Sequence, residues 1–400
     1  MSTNTRFQLM VMMFLEFLIW GSWYVTMGTY LGTNLQATGV QIGLAYQTVS
    51  IGAIIAPFFI GLIADRFFPA QRILGVLHLL GAVVLYLLGQ QTTFTNFYPL
   101  ILIYMLLYMP TLALVNAVAF KQMSDTATEF PPIRVLGTIG WIVVGNVIAY
   151  LALEKSQSLD KTFLMGAGTS AILGVYSFFL PNTPPPRSKE EKISVRDILG
   201  LEALGMLKNP SYLIFFIGSI LVCIPLSFYY NFANPFLNEA GMVGAAGKMS
   251  WGQISEIGFM LVLPVALVRY GIKKILLVGM LAWMLRYICF AYGDAGANYW
   301  MLIFGIILHG VCYDFFFVTG QIYTEQQAGV RFKSSAQGMI TLATYGIGMF
   351  IGSYISGYVV DMYNVNGAHN WTSIWMVPAG LALVILLGFA FFFKQPAKSE

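Results

Sequence analysis

Three carboxylates interrupt long apolar stretches of this chain. They are Glu16 in Phe14-Leu15-Glu16-Phe17-Leu18, Glu256 in Trp251-Gly252-Gln253-Ile254-Ser255-Glu256, and Asp314 in Tyr313-Asp314-Phe315-Phe316-Phe317. Low dielectric disfavours the charged form of a carboxyl group, so an acid in such surroundings can take up and release a proton near neutral pH. Charge among apolar residues is costly, which makes each of these acids a candidate for function by default. Asp314 is the sharpest of the three, because no basic residue lies within four positions and His309 is five away. Glu256 has Gln253 three residues before it on the same helical face, so an amide and a carboxylate would face one cavity. It also lies nearer the outer end of its run, where it could simply meet water. For Glu16, five residues before Gly21-Ser22-Trp23, function and structural pairing with a neighbour stand level.

Four basic or titratable side chains share these stretches: Arg134, Arg286, His78 and His309. Position alone has Arg134 snorkel to the cytoplasm from a helix start. Yet Thr138 lies one turn further on the same face and Trp141 beyond it, and arginine, hydroxyl and indole on one stripe suit a polar ring-bearing ligand. Gly137 and Gly140 would let another helix approach closely. Arg286 reads as a structural pair or a snorkelling residue, and the two histidines as satisfied packing. Ser227-Phe228-Tyr229-Tyr230-Asn231-Phe232-Ala233-Asn234 is too polar to face lipid. It lines a cavity or ends a helix at the interface, where Tyr is common. Cys223, Cys289 and Cys312 all fall inside apolar runs, which argues against a disulfide framework or a zinc site.

The elements that must hold these groups are set by composition. Of 400 residues, 58% are hydrophobic and 10% charged, whereas soluble domains average about 25% charged. That excludes a soluble enzyme or a nucleic-acid binder. A bilayer core needs about 20 apolar residues per helix. Twelve such runs are legible, near 8–30, 41–64, 73–91, 98–120, 133–152 and 163–181, then 212–236, 251–270, 274–293, 300–323, 337–360 and 373–393. They lack the ten-residue alternation of a β-barrel. The first run is too long for a cleaved signal peptide and is expected to stay as a helix. With the N-terminus in the cytoplasm, sixteen of the 21 Lys and Arg fall in cytoplasmic segments. Only Lys155, Lys161 and Lys248 fall outside, with Arg134 and Arg286 in or at the edge of runs. This asymmetry places both termini inside and supports an even helix number.

The expected organisation is an all-α membrane protein of two six-helix halves. Residues 1–181 form one half, 182–211 a cytoplasmic linker and 212–400 the other half. The linker opens with Pro184-Pro185-Pro186, which no helix continues through. From Ser194 and Asp197 onward it reads as a short amphipathic surface helix or as a plain flexible connection. Six plus six helices with matched basic turns, Asp65-Arg66 through Arg72 and Arg269 through Lys274, is the architecture of a repeat-built transporter. Its substrate site is expected at the midplane between the halves. Asp65 in its turn could cap a helix N-terminus, a contact that breaks easily when the halves move.

Gly61-x-x-x-Asp65-Arg66-x-x-x-x-x-Arg72 resembles the loop signature of the major facilitator superfamily, in which it latches the cytoplasmic gate; Phe68 stands where that family usually has glycine. Trp20-Gly21-Ser22-Trp23, Tyr108-Met109-Pro110-Thr111-Leu112, Phe130-Pro131-Pro132-Ile133-Arg134, Gln253-Ile254-Ser255-Glu256, Phe290-Ala291-Tyr292-Gly293-Asp294 and Ser335-Ala336-Gln337-Gly338-Met339 resemble the nucleoside:proton symporters of that superfamily. The resemblance covers nearly the whole chain. It implies a bacterial inner-membrane permease that imports nucleosides with protons by alternating access, as a monomer, with no cofactor, no metal, no catalytic residues and no nucleic-acid partner.

The resemblance also implies roles. Arg134, Thr138, Trp141, Tyr230, Gln253, Glu256 and Tyr313 would meet the nucleoside. Asp314 and Glu256 would link protonation to binding, and Glu16, read from its own chemistry as a third candidate for coupling, could change the proton stoichiometry. Asp65, Arg66 and Arg72 would form the gate. Departures from the family pattern are Ser227 and Tyr230 in place of amides, His309 in place of a tyrosine, and Glu16 in place of an uncharged amide. A proton-coupled carrier of a sugar or nucleobase is the alternative. An intramembrane enzyme or sensor finds no metal cluster, Gly-x-Ser nucleophile or appended domain in its favour.

Overall fold

The structure, a computed structural model, describes residues 1–60, 67–185 and 201–394. Asp65 and Arg66 of the expected gate, and Ser194 and Asp197 of the linker, lie outside the described residues. The described part is almost wholly helical. In chain order the helices are α1 (Thr3–Trp23), α2 (Met27–Asn34), α3 (Gly39–Phe59), α4 (Ala70–Leu88), α5 (Phe94–Lys121), α6 (Thr126–Tyr150) and α7 (Asp160–Ser177). A 3-10 turn at Leu201–Lys208 follows. Then come α8 (Pro210–Glu239), α9 (Ala245–Tyr292), α10 (Tyr299–Cys312), α11 (Thr319–Thr341), α12 (Met349–Met362) and α13 (Trp371–Phe392). π-Helical segments at Tyr313–Val318 and Leu342–Gly348 join α10 to α11 and α11 to α12.

Ten stretches among the described residues are long and apolar enough to cross a membrane. One of them, α9, is 48 residues long and contains Gly271 at φ 75° and ψ 164°. A non-helical glycine there ends one span and starts the next, because only glycine takes positive φ at little cost. The shorter and more polar α7 completes twelve. The first run is broken between Trp23 and Met27, and α6 begins at Thr126, before the expected start at 133. Pro131 and Pro132 therefore lie inside the helix, near its start. The only strands among the described residues are two-residue ones, Asn364–Val365 (β1) and Ala368–His369 (β2), paired antiparallel. Asn366 and Gly367 turn them at φ 54° and 84°, the left-handed pair a two-residue hairpin requires.

The chain resolves into two compact units. One comprises Met1–Ala37, Thr48–Val195 and Val243–Ser250; the other comprises Thr38–Gln47, Arg196–Met242 and Trp251–Glu400. In the first unit, α1 packs on α6 and α7, and α4 on α5 and α7. A Cβ on Gly21 would lie 2.9 Å from Val144 and one on Gly137 2.6 Å from Phe17. These glycines are what permit α1 and α6 to approach so closely. In the second unit, the Asp361 carboxylate accepts from the backbone N–H of Gly39 and, at 2.8 Å, of Val40. It thereby caps the start of α3, where a negative charge is favoured by the helix dipole. The Glu154 carboxylate does the same in the first unit for Ala246 at the start of α9, at 3.1 and 3.2 Å.

Candidate functional site

In the second unit the polar interior is built on α8, α9, α10 and the π-helical segments. Ser255 Oγ donates to the Ile307 carbonyl at 2.7 Å and accepts from the Gly310 N–H at 3.1 Å. A Cβ on Gly310 would lie 2.6 Å from the Glu256 nitrogen, so the two helices meet backbone to backbone. That seat places Glu256 Oε2 3.8 Å from His309 Nε2. The His309 ring stacks on Tyr229 at 5.4 Å, and Arg286 Cζ lies 4.0 Å from the Tyr229 ring centroid. Tyr229 thus has a guanidinium packed on its ring as well as an imidazole. Arg286 is fully buried, with Nε donating to the Gly305 carbonyl at 3.0 Å. It does not snorkel, and its Nη1 and Nη2 have no hydrogen-bond partner among the described residues. His309 is likewise no isolated packing residue, given its neighbours Glu256, Tyr229 and Tyr313.

Asp314 follows directly. It is fully buried, and neither carboxylate oxygen has a hydrogen-bond partner among the described residues. The charged group whose field reaches it is Glu256. It sits in a π-helical segment, and such bulges re-aim side chains and recur at functional sites. Tyr313, its neighbour, places its hydroxyl 3.4 Å from that of Tyr345 in the other π-helical segment. Gln253 is half-buried, with its Oε1 buried and unpaired among the described residues. Tyr230 is half-buried and packs edge-on against Tyr229 at 5.7 Å. Asn231 and Asn234 are buried within α8, which runs on to Glu239, so the polar stretch is not a helix end. Asn231 Nδ2 donates to Ser356 Oγ at 3.0 Å.

In the first unit α1 and α6 bring Trp20 and Trp141 edge to face at 5.8 Å. Trp20 also meets Tyr108 at 5.7 Å and Tyr24 at 5.6 Å. Arg134 Cζ lies 4.1 Å from the Phe17 ring centroid, and Thr138 is half-buried one turn further along α6. Glu16 is fully buried and paired. Its Oε2 lies 2.8 Å from His78 Nε2, its Oε1 accepts from the Thr111 hydroxyl at 2.6 Å, and its carbonyl accepts from Tyr108 at 2.8 Å. His78 is therefore the acid's partner and not a lone packing residue. Of the expected gate, only Arg72 is described, exposed near the start of α4.

Two bundles of long apolar helices with buried acids and amides inside define the chain as a membrane transporter of the major facilitator fold. The solved D-xylose-proton symporter shares that fold at TM-score 0.73 and 11% identity, over 98% of this chain and 98% of that one. The profile of the family described as "Nucleoside H+ symporter" matches residues 1–398, and the chain belongs to that family. It is 43% identical to YegT of Escherichia coli (strain K12) over 404 residues, 98% of this chain and 94% of that protein. It is 36% identical to the xanthosine permease of the same organism over 97% of this chain and 95% of that one. A crystal structure of an aspartate-to-alanine mutant of the nucleoside transporter NupG superposes with TM-score 0.90 at 35% identity, covering 98% of this chain and all of that one. Family membership makes the chain a proton-coupled nucleoside transporter and not an enzyme.

Proposed function

We propose that the protein imports nucleosides by alternating access across a bacterial inner membrane, as a monomer with both termini cytoplasmic. No nucleic acid takes part. In the second unit Gln253, Tyr230, Tyr313 and Glu256 meet base and ribose, and in the first unit Arg134, Thr138 and Trp141 do so. Asp314 and Glu256 carry the coupling proton. The observation that supports this most is Asp314, a buried carboxyl group with no hydrogen-bond partner among the described residues. A charged carboxylate left unpaired in low dielectric is strongly disfavoured, so Asp314 binds a proton whenever water is excluded from it and loses it when water or a cation arrives. Glu256 adds to this, because two nearby carboxyl groups resist being charged together. Glu16 stands apart in this reading, since its carboxylate is already committed to His78 and Thr111.

Uptake of labelled uridine and adenosine into proteoliposomes under an imposed pH gradient tests the reading. Wild type accumulates nucleoside when the outside is acidic. Asp314→Asn is expected to lose at least about tenfold of the gradient-driven rate, the loss of a general proton-transfer group being worth roughly 100-fold or more, while still exchanging nucleoside for nucleoside. Accumulation by Asp314→Asn at the wild-type rate would remove Asp314 from the coupling step.

A further inference from the structure

Among the described residues Glu16 and His78 form a buried titratable pair bonded on both sides, and the proposed transport chemistry does not use them. We assign the single hydroxyl hydrogen of Ser170 to the His78 carbonyl, the shorter of its two contacts at 2.8 Å. Its oxygen can then only accept from His78 Nδ1 at 3.2 Å, which puts a hydrogen on Nδ1. His78 Nε2 faces Glu16 Oε2 at 2.8 Å. Without a hydrogen between them, a lone pair would face a carboxylate oxygen in a site where both residues are buried. With one hydrogen the pair is either acid and imidazole or carboxylate and imidazolium, and its net charge is zero in both forms.

Burial of both residues favours that neutral state. The titratable groups that Glu16 faces besides His78 are Tyr104 and Tyr108 of α5, and the charge of Arg134 of α6 reaches Tyr108; α7 contributes the Ser170 hydroxyl. Removing the proton would leave a net charge in a buried site. The pair also has a mechanical consequence. It ties α1 to α4, with Thr111 and Tyr108 of α5 and Ser170 of α7 holding either side. Trp20, one turn beyond Glu16, packs on Tyr108 and on Trp141 of the nucleoside-facing set.

We propose that Glu16 and His78 share one proton that stays in place throughout transport, and that the pair positions Trp20, Tyr108 and Trp141 and does not carry the coupling proton. This rests on the assignment of coupling to Asp314 and Glu256.

The test uses Glu16→Gln, Glu16→Ala and His78→Asn in proteoliposomes, with uridine KM and the proton-to-uridine ratio measured for each. Glutamine presents an amide hydrogen to His78 Nε2 and a carbonyl to Thr111, so it imitates the neutral pair. Its ratio should equal wild type and its KM should stay within about threefold. Glu16→Ala should keep the ratio and raise KM by about tenfold or more, since misplaced binding groups weaken substrate capture without changing the coupling step. His78→Asn breaks the same bond and should follow Glu16→Ala, which keeps the test open if the alanine variant does not fold. Loss of gradient-driven accumulation in Glu16→Gln with exchange intact would make Glu16 a carrier of the coupling proton and overturn the proposal. Wild-type KM in Glu16→Ala or in His78→Asn would show that the pair positions nothing. Asp314→Asn run in parallel separates the two ideas: if it still accumulates uridine, the coupling assignment fails, whereas the KM pattern of the Glu16 and His78 variants stands independently.

Discussion

Arg286 holds a full charge in the interior of the second unit, and what stabilises it is the face of Tyr229 together with one carbonyl. A desolvated cation over an aromatic ring is worth about 2 kcal/mol. Tyr229→Leu should therefore lower stability by about 1–2 kcal/mol, seen as a lower thermal-unfolding midpoint of the purified protein. Tyr229→Phe, which keeps the ring face, should retain most of it. An unchanged midpoint in the leucine variant would mean that other groups hold the guanidinium. At this scale the sequence was only partly informative. The buried acids were legible because a carboxylate inside an apolar run needs no partner to be noticed. Their companions were not. His78 lies 62 residues from Glu16, and Arg286 and Tyr229 lie on different helices. Helical periodicity tells which residues share a face of one helix, and it carries no signal for which helix that face meets.

The helices themselves were legible because lipid imposes a length on every span. Their interruptions were less so. The pause expected near 270–274 takes the form of a single glycine at positive φ inside an unbroken run of helix, and the two π-helical segments left no mark in the apolar pattern. One insertion of this kind rotates the residues after it by a fraction of a turn, so the face occupied by Asp314 could not be counted from the residues before it. Gly310 shows what such local geometry depends on. A methyl group there would meet the Ser255 carbonyl carbon and the Glu256 nitrogen, each at 2.6 Å, and both are backbone atoms that cannot step aside. Gly310→Ala should force α10 away from the start of α9 at a cost of about 1–3 kcal/mol. It should also separate His309 from Glu256, lowering uridine uptake by more than the loss of folded protein explains. Uptake normalised to folded protein measures this, and an unchanged value would show that the Ser255–Gly310 seat does not set the geometry of Glu256.

For the molecule as a whole, direction of transport depends on which end of each helix meets the cytoplasm. Sixteen cationic residues assigned to one side against three on the other argue for a fixed insertion, because cationic loops resist translocation. The native thiols make this simple to check. Cys223, Cys289 and Cys312 are all free and buried, so an impermeant maleimide should not reach them in the folded protein. Lys155 and Lys394 are exposed, the first in an expected outer loop and the second just after α13. Lys155→Cys should label in intact spheroplasts, and Lys394→Cys only after the membrane is opened. The reverse pattern would place the termini outside. An acidic exterior would then face the opposite end of every helix, and the direction of the proton-driven step proposed for Asp314 would have to be inverted with it.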